Sequence, residues 1–131
     1  MECKVNSGIS GICRYVAAWC TKYKRPVLSG SIKEELEELI HGVCSKMDIT
    51  MVSLKVDADA VEMTVETDPT CSIHKIVKQV KRVTSHDLRE KYPELRSRIP
   101  TLWTNQYYAT TAGVEDRERL KAFVSSQPTK Q

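Results

Sequence analysis

Hydrophobic and polar positions change their period several times along the chain, and each change marks an element. From Ile9 to Cys20 the residues are rich in β-branched and aromatic types, which predicts a strand. The polar run Lys22-Tyr23-Lys24-Arg25-Pro26 ends it. Ser31 is predicted to open a helix, with Glu34 three positions later as the partner of a capping box. Ile32, Leu36, Leu39, Ile40 and Val43 then recur at helical spacing and form one apolar face. Glu34, Glu35, Glu37 and Glu38 fall near the amino end of that helix, where the backbone dipole favours negative charge. Val52, Leu54 and Val56 alternate with polar residues, and so do Val61, Met63 and Val65. Two alternating runs about Asp57-Ala58-Asp59 predict a hairpin.

Asp68-Pro69 is expected to close the hairpin and start a helix whose buried stripe is Ile73, Ile76, Val77 and Val80. A separate short helix is expected around Ser85–Lys91, then an irregular Tyr92–Pro100 segment. Tyr107–Ala112 reads as another strand. Glu115–Gln127 reads as a final helix with Leu120 and Val124 on one face. The order β-α-β-β-α-(α)-β-α predicts an α+β fold: a mainly antiparallel sheet with helices packed on it, of ferredoxin-like type. Residues 1–127 are expected to form a single domain, with a polar tail at 128–131.

Composition narrows the class. The chain has 131 residues, 40% hydrophobic and 28% charged, the balance of a globular domain with a real core. No apolar run is long enough to span a membrane, and no apolar stretch follows Met1-Glu2-Cys3-Lys4 as a secretory signal would require. Five cysteines at irregular spacing, with no C-x-x-C pair, disfavour a zinc site or a disulfide framework and suggest reduced thiols. The net charge of +3 hides an asymmetry. Residues 1–31 hold five basic side chains and one acid, residues 32–68 three and ten, residues 74–98 eight and three. The last stretch is a candidate polyanion-facing surface; a solvated helix face is the plainer alternative.

Three segments carry a resemblance. The first is Trp19-Cys20-Thr21-Lys22-Tyr23-Lys24-Arg25-Pro26-Val27-Leu28, of the form W-x-x-K-Y-R-x-x-x-L with Lys24 at the arginine position. The second is Ile76-Val77-Lys78-Gln79-Val80-Lys81 with Thr84-Ser85 and Leu88-Arg89. The third runs from Leu102-Trp103 through Tyr107 and Thr111 to Gly113. Together they resemble the HUH-type single-tyrosine transposases of bacterial and archaeal insertion sequences, over roughly residues 9–127.

That resemblance implies metal-assisted strand transfer on single-stranded DNA. Two histidines at i and i+2 of one strand would hold Mg²⁺ or Mn²⁺, and a tyrosine on the last helix would attack the scissile phosphate. A glutamine one helical turn after the tyrosine would face the same metal. It further implies a homodimer, hairpin DNA as partner, and a prokaryotic cytoplasmic setting. This sequence departs at the catalytic positions. Asp59-Ala60-Val61-Glu62 stands where the family has D-H-V-H, and Phe123 stands four residues before Gln127 where the family has tyrosine. Val16 occupies a first-strand position that is often histidine in the family.

A catalytically inactive, DNA-binding relative is therefore expected, with no cofactor; Glu62 and Gln127 are the remaining weak ligands for Mg²⁺ or Mn²⁺. Lys22, Lys24, Arg25, Lys75, Lys78, Lys81 and Arg82 are the expected phosphate contacts, and Tyr23 and Trp103 the candidates for stacking on unpaired bases. Trp19 is expected in the core, and packing is the favoured alternative to stacking for Trp103 as well. Tyr107 and Tyr108 read as strand residues beside the hairpin site rather than nucleophiles, and His41, His74 and His86 as helix-surface or capping residues. A protein-interaction subunit without DNA binding and an active transposase with a rearranged site are the competing functions.

Overall fold

A computed structural model describes residues 11–98 and 101–112. Strand β1 is Cys13–Cys20. Its inward residues Ala17 and Trp19 are buried, while Arg14, Val16, Ala18 and Cys20 line the other face. A short 3₁₀ turn at Lys22–Lys24 leads to helix α1, Gly30–Lys46. Strands β2 (Thr50–Val56) and β3 (Ala60–Thr67) form the expected hairpin, closed by Asp57 N donating to Ala60 O at 2.8 Å. Helix α2 is Ile73–Lys91, α3 is Glu94–Arg98 and β4 is Tyr108–Thr111.

The sheet has the order β2-β3-β1-β4, and every pairing is antiparallel. Register follows the alternation: Trp19 lies across from Val61, and Ala17 from Met63, so both strands turn their apolar side the same way. Val61, Met63 and Val65 are at most 1% exposed. They meet Leu36 and Ile40 of α1 and Ile76, Val77, Val80 and Leu88 of α2 in one core cluster. Helices α1 and α2 therefore cover one face of the sheet, and among the described residues no helix covers the other. Lys91 and Glu35 form an ion pair that ties the end of α2 to the start of α1.

Several boundaries differ from expectation for local reasons. Helix α1 starts at Gly30, whose φ of 58° suits glycine, and its N-cap position is Ser29 with no side-chain bond; the Ser31–Glu34 capping box is not used. Asp68 does not begin α2. Its Oδ1 accepts from Thr70 N at 2.8 Å and Thr70 Oγ1 at 2.6 Å, closing a turn, and Ser72 caps the helix by accepting from Lys75 N at 3.2 Å. Thr84-Ser85 does not divide α2, because the Thr84 hydroxyl bonds back to Val80 O at 2.7 Å inside the helix. The expected irregular segment contains α3. At the end of α1, Asp48 takes a φ of 60°, while Asp48 N donates to Ser45 O and Ile49 N to Cys44 O, the bonds of a Schellman motif.

Cys13, Cys20 and Cys44 are free thiols, and burial pushes the Cys44 thiol up to about 11. Cys71 is disulfide-bonded, which corrects the expectation that all thiols are reduced. Residues 9–10 of the first expected strand, and the expected final helix with Phe123 and Gln127, lie outside the described residues.

Candidate nucleic-acid interface and the open sheet face

Thr21, directly after β1, organises the basic turn. It is fully buried; its N–H donates to Asp59 O at 2.9 Å and its hydroxyl to Arg25 O at 2.8 Å. Lys22 N donates to Leu102 O, and Lys24 N to Thr21 O. Held this way, Tyr23 and Lys24 adopt φ of 58° and 53°, left-handed values that cost a non-glycine residue on the order of 1 kcal/mol each. Tyr23 is 68% exposed, and the Lys22 ammonium sits 5.4 Å from its ring centroid. Lys24 and Arg25 are exposed beside it.

On α2, Lys75, Lys78 and Arg82 point to solvent, Arg82 also donating to Gln79 Oε1. Lys81 has another role. It is half-buried, and its Nζ donates to Thr104 O at 2.6 Å and lies 3.5 Å from Gln106 O. Burial lowers its pKa. Lys81 thus fastens the 101–107 segment to α2, unlike Lys75, Lys78 and Arg82, which are exposed. Trp103 takes the packing alternative. It is 4% exposed, meets Trp19 edge to face at 6.0 Å, and donates its indole N–H to Thr84 Oγ1 at 3.0 Å. A ring so enclosed cannot stack on a base. Trp19 is in the core as expected.

The same segment bonds to the end of β1 through Thr104 N to Cys20 O and through the Thr21–Trp103 bridge. It therefore stitches the basic turn and the middle of α2 into one region. Tyr107 and His74 close its far end: His74 Nδ1 and the Tyr107 hydroxyl are 2.9 Å apart, and their rings stack at 5.9 Å. Spacing in the sequence offered no signal for these three clasps, since their partners are brought together by the sheet and α2.

Ala60 and Glu62 share the open face of β3. Ala60 lies across from Cys20, Glu62 across from Ala18 on one side and Lys55 on the other, and Val16 across from Thr64. Farther along the same face Arg14 pairs with Glu66 at 2.6 Å. Tyr108, 71% exposed, lies across from Ala18 on β4, and Tyr107 falls just before that strand. A methyl group and one carboxylate do not supply the donor set of a two-imidazole metal site. Among the described residues no three His, Cys, Asp or Glu side chains are grouped to hold an ion. Glu62 alone represents the weak ligand pair there, Gln127 lying outside the described residues.

Beyond the opposite end of the sheet is a cavity of about 280 Å³ whose lining includes Asp48, Glu66 and Asp68. The basic turn and the acidic cavity thus occupy opposite ends of β3, which runs from Ala60 beside Cys20 to Thr67.

Comparison with known proteins agrees with this architecture. A transposase from Deinococcus radiodurans R1 superposes with a TM-score of 0.75 at 23% identity, covering 95% of this chain and 97% of that one. A REP-associated tyrosine transposase bound to a REP hairpin superposes at 0.59 with 10% identity, over 92% of this chain and 68% of that one. In sequence, the ISDra2 transposase TnpA of Deinococcus radiodurans is 23% identical over 133 aligned positions, spanning 100% of this chain and 95% of the relative. The transposase for insertion sequence element IS200 of Salmonella typhimurium is 20% identical over 117, spanning 88% and 76%. The model of the IS200-like transposases matches residues 10–127, so with this sheet, this helix layer and that extent of match, the chain belongs to the IS200-like transposase family.

Proposed function

We propose that this chain binds hairpin or single-stranded DNA without cutting or joining it, as a regulator of, or competitor to, an active transposase. The observation that carries the proposal is the occupancy of the outward pair on β3 by Ala60 and Glu62, beside an exposed basic turn. A methyl group binds no metal, and a lone carboxylate facing the substrate strand repels phosphate. Phe123 has no hydroxyl with which to attack phosphorus. No step of strand transfer is therefore assigned to these residues.

Lys22, Lys24 and Arg25 on the turn and Lys75, Lys78 and Arg82 on α2 supply the phosphate contacts. The hairpin carried by the REP-associated relative supports a hairpin partner here. We also assign a homodimer as the working unit and an intracellular setting; among the described residues no helix is long and apolar enough to cross a membrane.

A gel shift with a labelled DNA hairpin tests the binding, with the same samples run on a denaturing gel in Mn²⁺. A salt-sensitive shift with no covalent adduct is expected. A covalent adduct would overturn the non-catalytic part, and a folded protein that shifts no hairpin would replace DNA binding with a protein-interaction role.

A further inference from the structure

We propose that Cys3 and Cys71 form a redox latch, which fastens the amino-terminal segment to the turn between β3 and α2 and which small thiols open in the folded protein. The latch uses none of the basic side chains assigned to DNA. The chain has five cysteines. Cys13, Cys20 and Cys44 are free, and Cys71 is disulfide-bonded. Cys3 is the remaining cysteine of the sequence, so a bond within one chain pairs it with Cys71. The described residues bring the two ends of this link together. At Gly11 a Cβ would lie 3.3 Å from Pro69 Cγ, and φ there is 140°, a value that suits glycine. Cys71 follows Pro69 by two positions, and its N–H donates to Asp68 O at 3.0 Å, folding the turn back on itself. Residues 4–10 join Cys3 to Gly11. A chain of that length reaches roughly 25 Å when extended, ample for a return to the turn beside which it starts.

The position of Cys71 makes the bond one that opens. Its side chain is 1% exposed, so an incoming thiolate is kept from its sulfur and attacks the Cys3 sulfur instead. Cys71 then departs as a thiolate directly before Ser72, the N-cap of the 19-residue helix α2. The amide dipoles of the first helical turn favour that negative charge and offset its burial. With a dithiol as reductant the exchange balances. The first thiolate forms a mixed disulfide with Cys3, and the released Cys71 thiolate takes up a proton. The second thiol of the reductant then displaces Cys3, leaving two protein thiols and an oxidised, cyclic reductant. A small disulfide such as oxidised glutathione runs the exchange backwards. Closed, the latch ties off a ring holding β1, α1, β2 and β3, which restricts the unfolded chain and stabilises the fold.

The test uses the full chain purified without reductant. Thiols are blocked with N-ethylmaleimide, and the protein is digested with trypsin in urea and analysed by mass spectrometry. A disulfide-linked pair of peptides, 1–4 with 56–75, is expected. A maleimide on Cys71, or a link from Cys71 to another cysteine, would overturn the pairing. A second sample is treated with excess dithiothreitol while folded and then blocked. Maleimide on both Cys3 and Cys71 is expected, with buried Cys44 left unmodified. A linked pair that survives until urea is added would overturn the opening and leave a permanent staple. In urea denaturation, reduction of wild type should lower the midpoint by about 1–2 M. Cys3→Ser should show the lower midpoint at once and no response to dithiothreitol. A wild-type midpoint indifferent to dithiothreitol would overturn the latch as a control of stability.

Discussion

Lys78 and Lys81 lie three residues apart on α2 and meet different surroundings. Lys78 is exposed, whereas Lys81 ends on backbone carbonyls of the 101–107 segment. A charge-assisted bond of this kind contributes about 1.5–3 kcal/mol when its partner would otherwise be left unmet. Lys81→Met is therefore expected to lower stability by about 1–2 kcal/mol in urea denaturation, and Lys78→Met to leave it within about 0.5 kcal/mol. On DNA the order reverses: Lys78→Met should reduce the salt slope of binding by about one. A stable Lys81→Met protein with a reduced salt slope would contradict this division. The pH dependence has a definite sign. Burial lowers the Lys81 pKa in the folded state, so in the alkaline range between that pKa and the ordinary lysine value of about 10.4 the unfolded chain holds more protons. Stability of wild type should consequently rise relative to Lys81→Met as pH climbs through that window. Lys91 moves the other way, raised by Glu35, and is common to both proteins, so it cancels from the difference.

Among the elements, the β2–β3 hairpin and the apolar stripes of α1 and α2 were legible in the sequence, because strict alternation and helical spacing report directly on one buried side. The continuity of α2 was not. Thr84-Ser85 has the composition of a break, and only the burial of Thr84 against Trp103 shows that its hydroxyl satisfies the helix instead. The basic turn was legible as a charged run, yet its left-handed backbone depends on bonds to Asp59 and Leu102, far off in sequence. The contacts of Trp103 and Lys81 were not legible for the same reason: their partners are tertiary. Two outcomes follow for these elements. Ser72→Ala should destabilise the protein by about 1 kcal/mol through loss of the α2 cap. Thr84→Val and Trp103→Phe should show less destabilisation together than the sum of the two alone, since each removes the same hydrogen bond. Strict additivity in thermal denaturation would mean that the bond contributes nothing.

Over the whole molecule, both described ends of the sheet carry mixed charge: Lys22, Lys24 and Arg25 stand near Asp57, Asp59 and Glu62 at one, and Arg14 pairs with Glu66 at the other. The scaffold is that of the IS200-like transposases, and the proposed absence of strand transfer rests on Ala60 and Glu62 as the outward pair on β3. Placing histidines at both positions gives a sharp expectation. Ala60→His with Glu62→His should bind Mn²⁺ in calorimetry where wild type does not, yet form no covalent DNA adduct, because Phe123 still lacks a nucleophilic oxygen. The most direct measurement is a titration of the wild-type protein against a DNA hairpin, with a duplex of the same sequence as competitor, at two salt concentrations and in Mn²⁺. Hairpin-selective binding that weakens steeply with salt, with all of the DNA recovered intact and unattached on a denaturing gel, is the expected result. Cleaved or covalently attached DNA, or the absence of any hairpin complex, would contradict it.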